Sequence, residues 1–301
     1  MKTIKFLSML VAVAMLGFSC SDDDDNGGNG GNGGNGGNGG DPNPPSGLPA
    51  LPDDSQPEST SFVHRVLLTQ ITGTGCGFCP LMISAVEKIM EDAEYGDKAV
   101  LTVAHRYNSD DPAWCPAPLD KALGVSGAPW CGVDLVEVVG NQSVDANVSN
   151  LKRAIDKRYN ASPAKAGIAA STELDGDVLV VRMAVKAAET GTFRVGCWLL
   201  EDGIQAQQSN YQGVPGNFNT HNNCVRIADS KASATNYSGV ELGTVEQGKI
   251  GEKVFAMSLE GYKKENCKLV LFVSAAESGK YTVNNAVSCP LEGTVAFEYA
   301  K

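Results

Sequence analysis

The chain has 301 residues, a formal net charge of −11 and 42% hydrophobic residues. No block of Lys or Arg stands anywhere in it, which argues against a nucleic-acid partner. Beyond residue 20 no apolar run is long enough to span a bilayer, so attachment to a membrane is expected only through an end.

In chain order, residues 1–20 read as a lipoprotein signal: Lys2 and Lys5, an apolar run from Phe6 to Phe18, then Ser19-Cys20. Leu16-Gly17-Phe18-Ser19-Cys20 resembles a lipobox, with Phe18 where a small residue is usual. Cleavage before Cys20 would make it the lipid-attachment residue, and several acyl chains suffice for stable anchoring. The following Ser21-Asp22-Asp23-Asp24-Asp25 resembles the surface-export signal of Bacteroidota lipoproteins. It implies an outer-membrane lipoprotein facing the cell exterior. Residues 21–62 hold five Asn-Gly-Gly repeats, a cluster of Pro42, Pro44 and Pro45, eight acids and no Lys or Arg. So little apolar surface cannot offset chain entropy, which predicts a disordered tether of roughly 35 Å reach.

The remaining 63–301 is long enough for two domains. A short apolar strand, His64 to Thr72, ends at Gly73-Thr74-Gly75 and meets Cys76-Gly77-Phe78-Cys79-Pro80. Leu81 to Ala93 then shows helical spacing through Met82, Val86, Ile89 and Met90. A CxxC between a strand and a helix start is a thioredoxin-like redox arrangement. Helix-end N–H groups stabilise a thiolate there, so Cys76 is the candidate nucleophile and Cys79 the resolving thiol. Ala99 to Ala104 predicts a second strand, and Gly124-Val125-Ser126-Gly127-Ala128-Pro129 precedes an apolar run from Trp130 to Val139. Ala128–Pro129 is the candidate cis bond beside the CxxC. Ser143 caps a helix with Val144, Val148, Leu151, Ile155 and Tyr159 on one face. Two features depart from thioredoxins: Gly75 stands where they carry Trp, and Val66 to Ile71 holds no acid to move the resolving thiol's proton.

Leu68 to Pro80, together with Phe218 to Arg226 and Val270 to Cys289, resembles the 28-kDa outer membrane protein family of Bacteroidota. The resemblance implies a lipoprotein with a thioredoxin-like domain, 63–162, and a β-rich domain, 163–301.

From Ala164 the pattern changes to period two. Val178 to Val185, Phe193 to Leu200, Val254 to Leu259 and Lys268 to Ser274 predict strands, separated by turn signals such as Asp175-Gly176 and Asp202-Gly203. The expected fold is thus an α/β thioredoxin-like domain followed by an all-β, immunoglobulin-like sandwich. Six further cysteines are structural disulfide candidates. Cys115 and Cys131 are expected to fasten the insert 108–123, and Cys197, Cys224, Cys267 and Cys289 to form two bridges in the sandwich. An alternative zinc site would need Cys115, Cys131 or His105 beside the CxxC, and no second close pair supports it. No cofactor is expected. The polar segment Gln205 to Asn223 reads either as a contact surface for a protein or glycan or as a long solvated connection.

Two functions follow. One is thiol–disulfide exchange at Cys76 and Cys79, with Pro129 presenting backbone to a bound partner. The other is a non-enzymatic binding lipoprotein, adhesin-like, in which the CxxC is a structural disulfide.

Overall fold

The computed structural model describes residues 47–229, 237–277 and 279–301. The signal, Cys20, the acidic run and the Asn-Gly repeats lie outside the described residues. Fifteen strands and three α-helices follow one another among those described.

The first half runs β1 (Val66–Thr72), α1 (Cys79–Glu91), β2 (Ala99–His105), α2 (Leu119–Ala122), β3 (Trp130–Val133), β4 (Glu137–Gly140) and α3 (Val144–Ala161). β1 and β2 pair in parallel, with Leu68 opposite Leu101 and Thr72 opposite His105. β3 lies antiparallel on the other side of β1, and β4 antiparallel to β3. The two faces of β1 are read by strand alternation. Val66 and Leu68 join Met82, Val86 and Ile89 of α1 and Leu151 and Ile155 of α3 in one core, whereas Leu67 and Ile71 face a second core. α1 starts two residues earlier than the helical spacing predicts, because Pro80 needs no N–H partner in the first turn. α3 begins where Ser143 accepts the N–H of Ala146.

The second half runs β5 (Ala166–Asp175), β6 (Val178–Ala187), β7 (Gly191–Glu201), β8 (Ile204–Gln205), β9 (Thr220–His221), β10 (Cys224–Asp229), β11 (Val240–Val245), β12 (Ile250–Ser258), β13 (Cys267–Glu277), β14 (Lys280–Pro290) and β15 (Gly293–Val295). A four-stranded sheet, β12-β6-β5-β15, packs over β14, β13 and β7. Between them lies a core of Val, Leu, Met and Phe side chains, including Val181, Met183, Phe193, Leu199, Phe255 and Leu271. This is a sandwich of two antiparallel faces; β12 buries alternate residues toward the end of its run, whereas β5, β6, β7 and β13 are buried along most of their length.

The larger sheet does not stop at the sandwich. Its order is β14-β13-β7-β10-β2-β1-β3-β4, so β10 joins both halves through Cys224 opposite Val103. The described residues form one compact unit. The change of pattern near residue 163 therefore marks a change of architecture within a continuous sheet.

The tether expected over 21–62 is corrected at its end. Phe62 is buried against Phe297 and Tyr299 and bridges to Tyr299, while Asp54 pairs with the buried Lys186. Residues 49–62 had looked too polar to pack, but they bind backbone and buried charge already present on the sandwich.

Candidate functional site

Cys76 and Cys79 form a disulfide, with Cα atoms 5.4 Å apart. The motif lies where β1 hands over to α1, and Cys79 is the first residue of the helix. α1 has no side-chain cap and no acid in its first turn, so its positive end is free to favour a thiolate. Ala128–Pro129 is cis. Trp130 pairs with Ile71, which stands Pro129 level with Thr72, at the end of β1 from which the CxxC loop leaves.

The disulfide is covered. Cys76 is 3% exposed and Cys79 0%. The cover is the segment between β8 and β9, a strap from the sandwich half. Ser209 N–H donates to Thr74 carbonyl and Tyr211 N–H to Gly77 carbonyl, both at 2.8 Å. The Gln208 side-chain amide is buried, and its Nε2 lies 3.1 Å from Gly73 carbonyl, 3.2 Å from Thr74 carbonyl and 3.0 Å from Cys76 carbonyl. Tyr211 lies over Gly77, where a Cβ would stand 2.2 Å from the ring, and meets Phe78 edge-on at 6.2 Å. Gly77 is thus the residue that lets an aromatic ring approach the loop. Gly73 does the same for Tyr107, since a Cβ there would lie 2.5 Å from Tyr107 Cβ. Phe78, Tyr107 and Tyr211 leave large parts of their rings exposed around the buried sulfurs. The polar segment 205–223 is therefore not a solvated connection: Gln208, Val214, Phe218 and His221 are all buried.

Under the loop sits a second group the sequence left dispersed. His105 Nδ1 lies 2.8 Å from Asp111 Oδ2, and neither side chain has any exposed surface. Asp111 also accepts the N–H of Thr74 at 2.7 Å and of Ala113 at 2.9 Å. Burial raises its carboxyl pKa, but the His105 hydrogen bond and charge and the two backbone donors outweigh that and hold it well below the usual carboxylate range. The His221 ring meets His105 edge-on, with centroids 4.9 Å apart. Burial, followed by the charge of His105, lowers the pKa of His221.

The depressed pKa of Asp111 sets a sign. Its stabilising contribution is complete above about pH 3.8, the ordinary value, and is lost as pH falls from there toward the depressed folded value. The melting temperature of the wild type is expected to fall more steeply below pH 4 than that of Asp111→Asn. A scan from pH 6 to 2 checks this, and parallel curves would contradict it.

The other cysteines are placed apart, which corrects the expected bridges. Cys115 joins the core containing Leu67 and Ile71, and Cys131 the core containing Val66 and Leu68, on the opposite face of the sheet. The insert 108–123 is held instead by Arg106, whose Nε meets Asp120 at 2.9 Å and whose Nη1 donates to Cys115 carbonyl at 2.7 Å. Cys224 and Cys267 both lie opposite Glu201, on β10 and β13 at either side of β7. Two strand spacings, about 9.5 Å, exceed the roughly 7 Å that a disulfide can span. Cys197 and Cys289 are likewise separated by β13 within the sandwich core. Burial pushes the Cys115, Cys131 and Cys289 thiols up to about 12, which leaves them inert as nucleophiles.

The fold and the covered CxxC define a β-rich protein with, among the described residues, one disulfide, at a helix start. A profile described as "Outer membrane protein Omp28" matches residues 117–291, more than half of the chain. The chain belongs to the Omp28 outer membrane protein family. The match begins downstream of Cys76 and Cys79. Among solved structures, HBP35 of Porphyromonas gingivalis is similar at 21% identity and a TM-score of 0.59, over 76% of each chain. It shares the fold. Spo0M, a sporulation control protein from Bacillus subtilis, matches with 11% identity and a TM-score of 0.26, over 46% of this chain and 50% of its own. A DUF3823 family protein from Bacteroides ovatus matches with 13% identity and a TM-score of 0.23, over 44% of this chain and 57% of its own. No curated protein sequence matches the chain.

Proposed function

We propose that this outer membrane protein is a lipid-anchored, outward-facing thiol–disulfide exchange protein, with a thioredoxin-like region at 63–162 carried on the β-sandwich of 163–301. The observation that carries the reading is the Cys76–Cys79 disulfide at the uncapped start of α1. The parallel β1–β2 pair flanked by antiparallel β3 and β4, and the cis Pro129 level with the end of β1, support it. A partner thiolate attacks Cys76 Sγ, Cys79 departs, and a second partner thiol resolves the mixed disulfide. Pro129 offers backbone to the partner. Cys20 carries the lipid, the acidic run after it directs the protein outward, and residues 21–46 hold the body off the bilayer.

A second reading has its own observation. Both sulfurs lie under a strap that hydrogen-bonds four residues of the loop, as a structural clip in a binding protein would. Its partner, a protein or glycan, would meet the aromatic rim of Phe78, Tyr107 and Tyr211.

The reduction potential separates the two. Full-length protein equilibrated in graded thiol buffers, trapped by alkylation and mapped by peptide mass is expected to show a midpoint between about −120 and −270 mV. A midpoint below about −300 mV overturns exchange and leaves the clip.

A further inference from the structure

On the α1 side of β1, apolar residues give way to polar ones: Val66 and Leu68 are followed on the same face by Gln70 and Thr72. Gln70, Thr72 and His105 line a cavity of about 130 Å³ between β1, β2, α1 and the strap end. Its apolar walls include Ile83, Val103 and Phe218. Three buried atoms there, Gln70 Nε2, Thr72 Oγ1 and His105 Nε2, have no hydrogen-bond partner among the described residues. Buried polar atoms left so cost free energy, and a polar space of this size holds several waters.

The cavity reaches to within one helical turn of the resolving cysteine, through Ile83 of α1. Ile83 stands one turn after Cys79, and helical side chains tilt toward the N-terminus, so Cys79 is next on the same face. A fully buried Cys79 cannot leave cheaply as a bare thiolate, and needs a proton. His105 is arranged to provide one. Asp111 occupies its Nδ1, which keeps a proton there and leaves Nε2 to gain or lose one at the cavity.

We propose that His105 donates a proton to Cys79, and takes it back, across water in this cavity, with Asp111 as its positioning residue. The proposal rests on the exchange reading. In the oxidised protein, a thiolate of a dithiol partner bonds to Cys76 Sγ and the Sγ–Sγ bond breaks. Cys79 receives the electron pair and a proton from the His105 imidazolium. The partner's second thiolate then attacks its own sulfur on Cys76, forming the partner disulfide and releasing the Cys76 thiolate. The partner loses two electrons and two protons. One proton returns to His105 and the other goes to Cys76 or solvent. A disulfide-bearing second partner restores the bridge by the reverse steps. The titratable groups facing His105 are Asp111 from the insert, His221 from β9, Glu87 from α1 and Cys224 from β10.

The test uses oxidised full-length protein mixed with excess reduced dithiothreitol from pH 5 to 9. Reduction is followed by alkylation and mass, and each rate is divided by that for oxidised glutathione in the same buffer, which cancels the reagent's thiolate fraction. In the wild type this ratio is expected to rise toward low pH. In His105→Gln it is expected to be flat and lower by about 10²-fold at the acid end. Asp111→Asn, which takes away the carboxylate that holds Nδ1, is expected to keep a rise toward low pH but a smaller one. Thr72→Val, which leaves the dyad whole, is expected to lower the ratio several-fold at an unchanged inflection, and serves if His105→Gln fails to fold by near-ultraviolet circular dichroism. A fast wild type whose profile is unaltered in the folded variants overturns the His105 role alone. A wild type no faster than oxidised glutathione at every pH overturns the exchange reading and this proposal with it.

Discussion

Replacing Gln208 by Ala is expected to open the strap, destabilising the protein by about 2–3 kcal/mol and speeding reduction of the Cys76–Cys79 disulfide at least about 10-fold. The amide nitrogen of Gln208 lies within 3.2 Å of the carbonyls of Gly73, Thr74 and Cys76. It has two hydrogens, so the carbonyls share them, and in the variant each keeps only its backbone donor, the N–H of Cys76, Ser209 and Cys79 respectively. Each hydrogen bond lost costs about 0.5–1.5 kcal/mol net, the emptied volume of the side chain adds to that, and water entering past the strap recovers part of it. Entry of water is also entry of thiols. Urea unfolding gives the first number and timed alkylation the second. A strap that is mere packing would give the stability loss with no change in reduction rate. Gly77→Ala separates the terms from the other side. Its Cβ would meet the Tyr211 ring at 2.2 Å, and a ring so exposed can swing outward at little cost. Faster reduction with nearly unchanged stability is the expected result there.

How far the sequence carried depends on whether a signal was local. The CxxC lies between an apolar strand and a helix because Val66, Leu67, Leu68 and Ile71 crowd one short run and Met82, Val86 and Ile89 repeat at helical spacing. Each element announces itself within a dozen residues. The cap at Ser143 and the bond before Pro129 were legible for the same reason. Four things were not. Gln208 was visible only as one of many Asn and Gln residues; that it reaches Cys76 is a contact across 132 positions. His105 and Asp111 are close in sequence, yet neither reads as functional until β2 sets His105 opposite Thr72 and Asp111 takes the N–H of Thr74. The even number of cysteines suggested bridges by composition, whereas pairing is decided by register. Cys224 and Cys267 are neighbours of the same Glu201 and still lie on opposite sides of β7. The role of β10, crossing from one half to the other, is likewise a topological fact that no periodicity encodes.

The last expectation concerns the arm that composition had assigned to the tether. Asp54→Ala is expected to cost about 3–5 kcal/mol, more than any surface change of the same kind. Lys186 projects from β6 with its side chain 1% exposed, and Nζ lies 2.9 Å from Asp54 Oδ2. Its other partners are the Gln56 carbonyl at 3.1 Å, the Pro57 carbonyl at 2.6 Å and Tyr299 hydroxyl at 3.0 Å. Among the described residues Asp54 is thus the one counter-charge of a cation that cannot reach water without moving the arm. Removing it leaves the ammonium to be solvated by neutral oxygens alone. Lys186→Met makes the opposite removal. Asp54 is 18% exposed by side chain and can turn to solvent, while methionine fills the vacated apolar shaft, so the loss should be smaller by at least about 1 kcal/mol. The order of the two variants in urea is what matters. Asp54→Ala costing more than Lys186→Met means that residues 49–62 are an integral part of the sandwich and that a spacer begins upstream of them. No loss in either variant would return the arm to the tether.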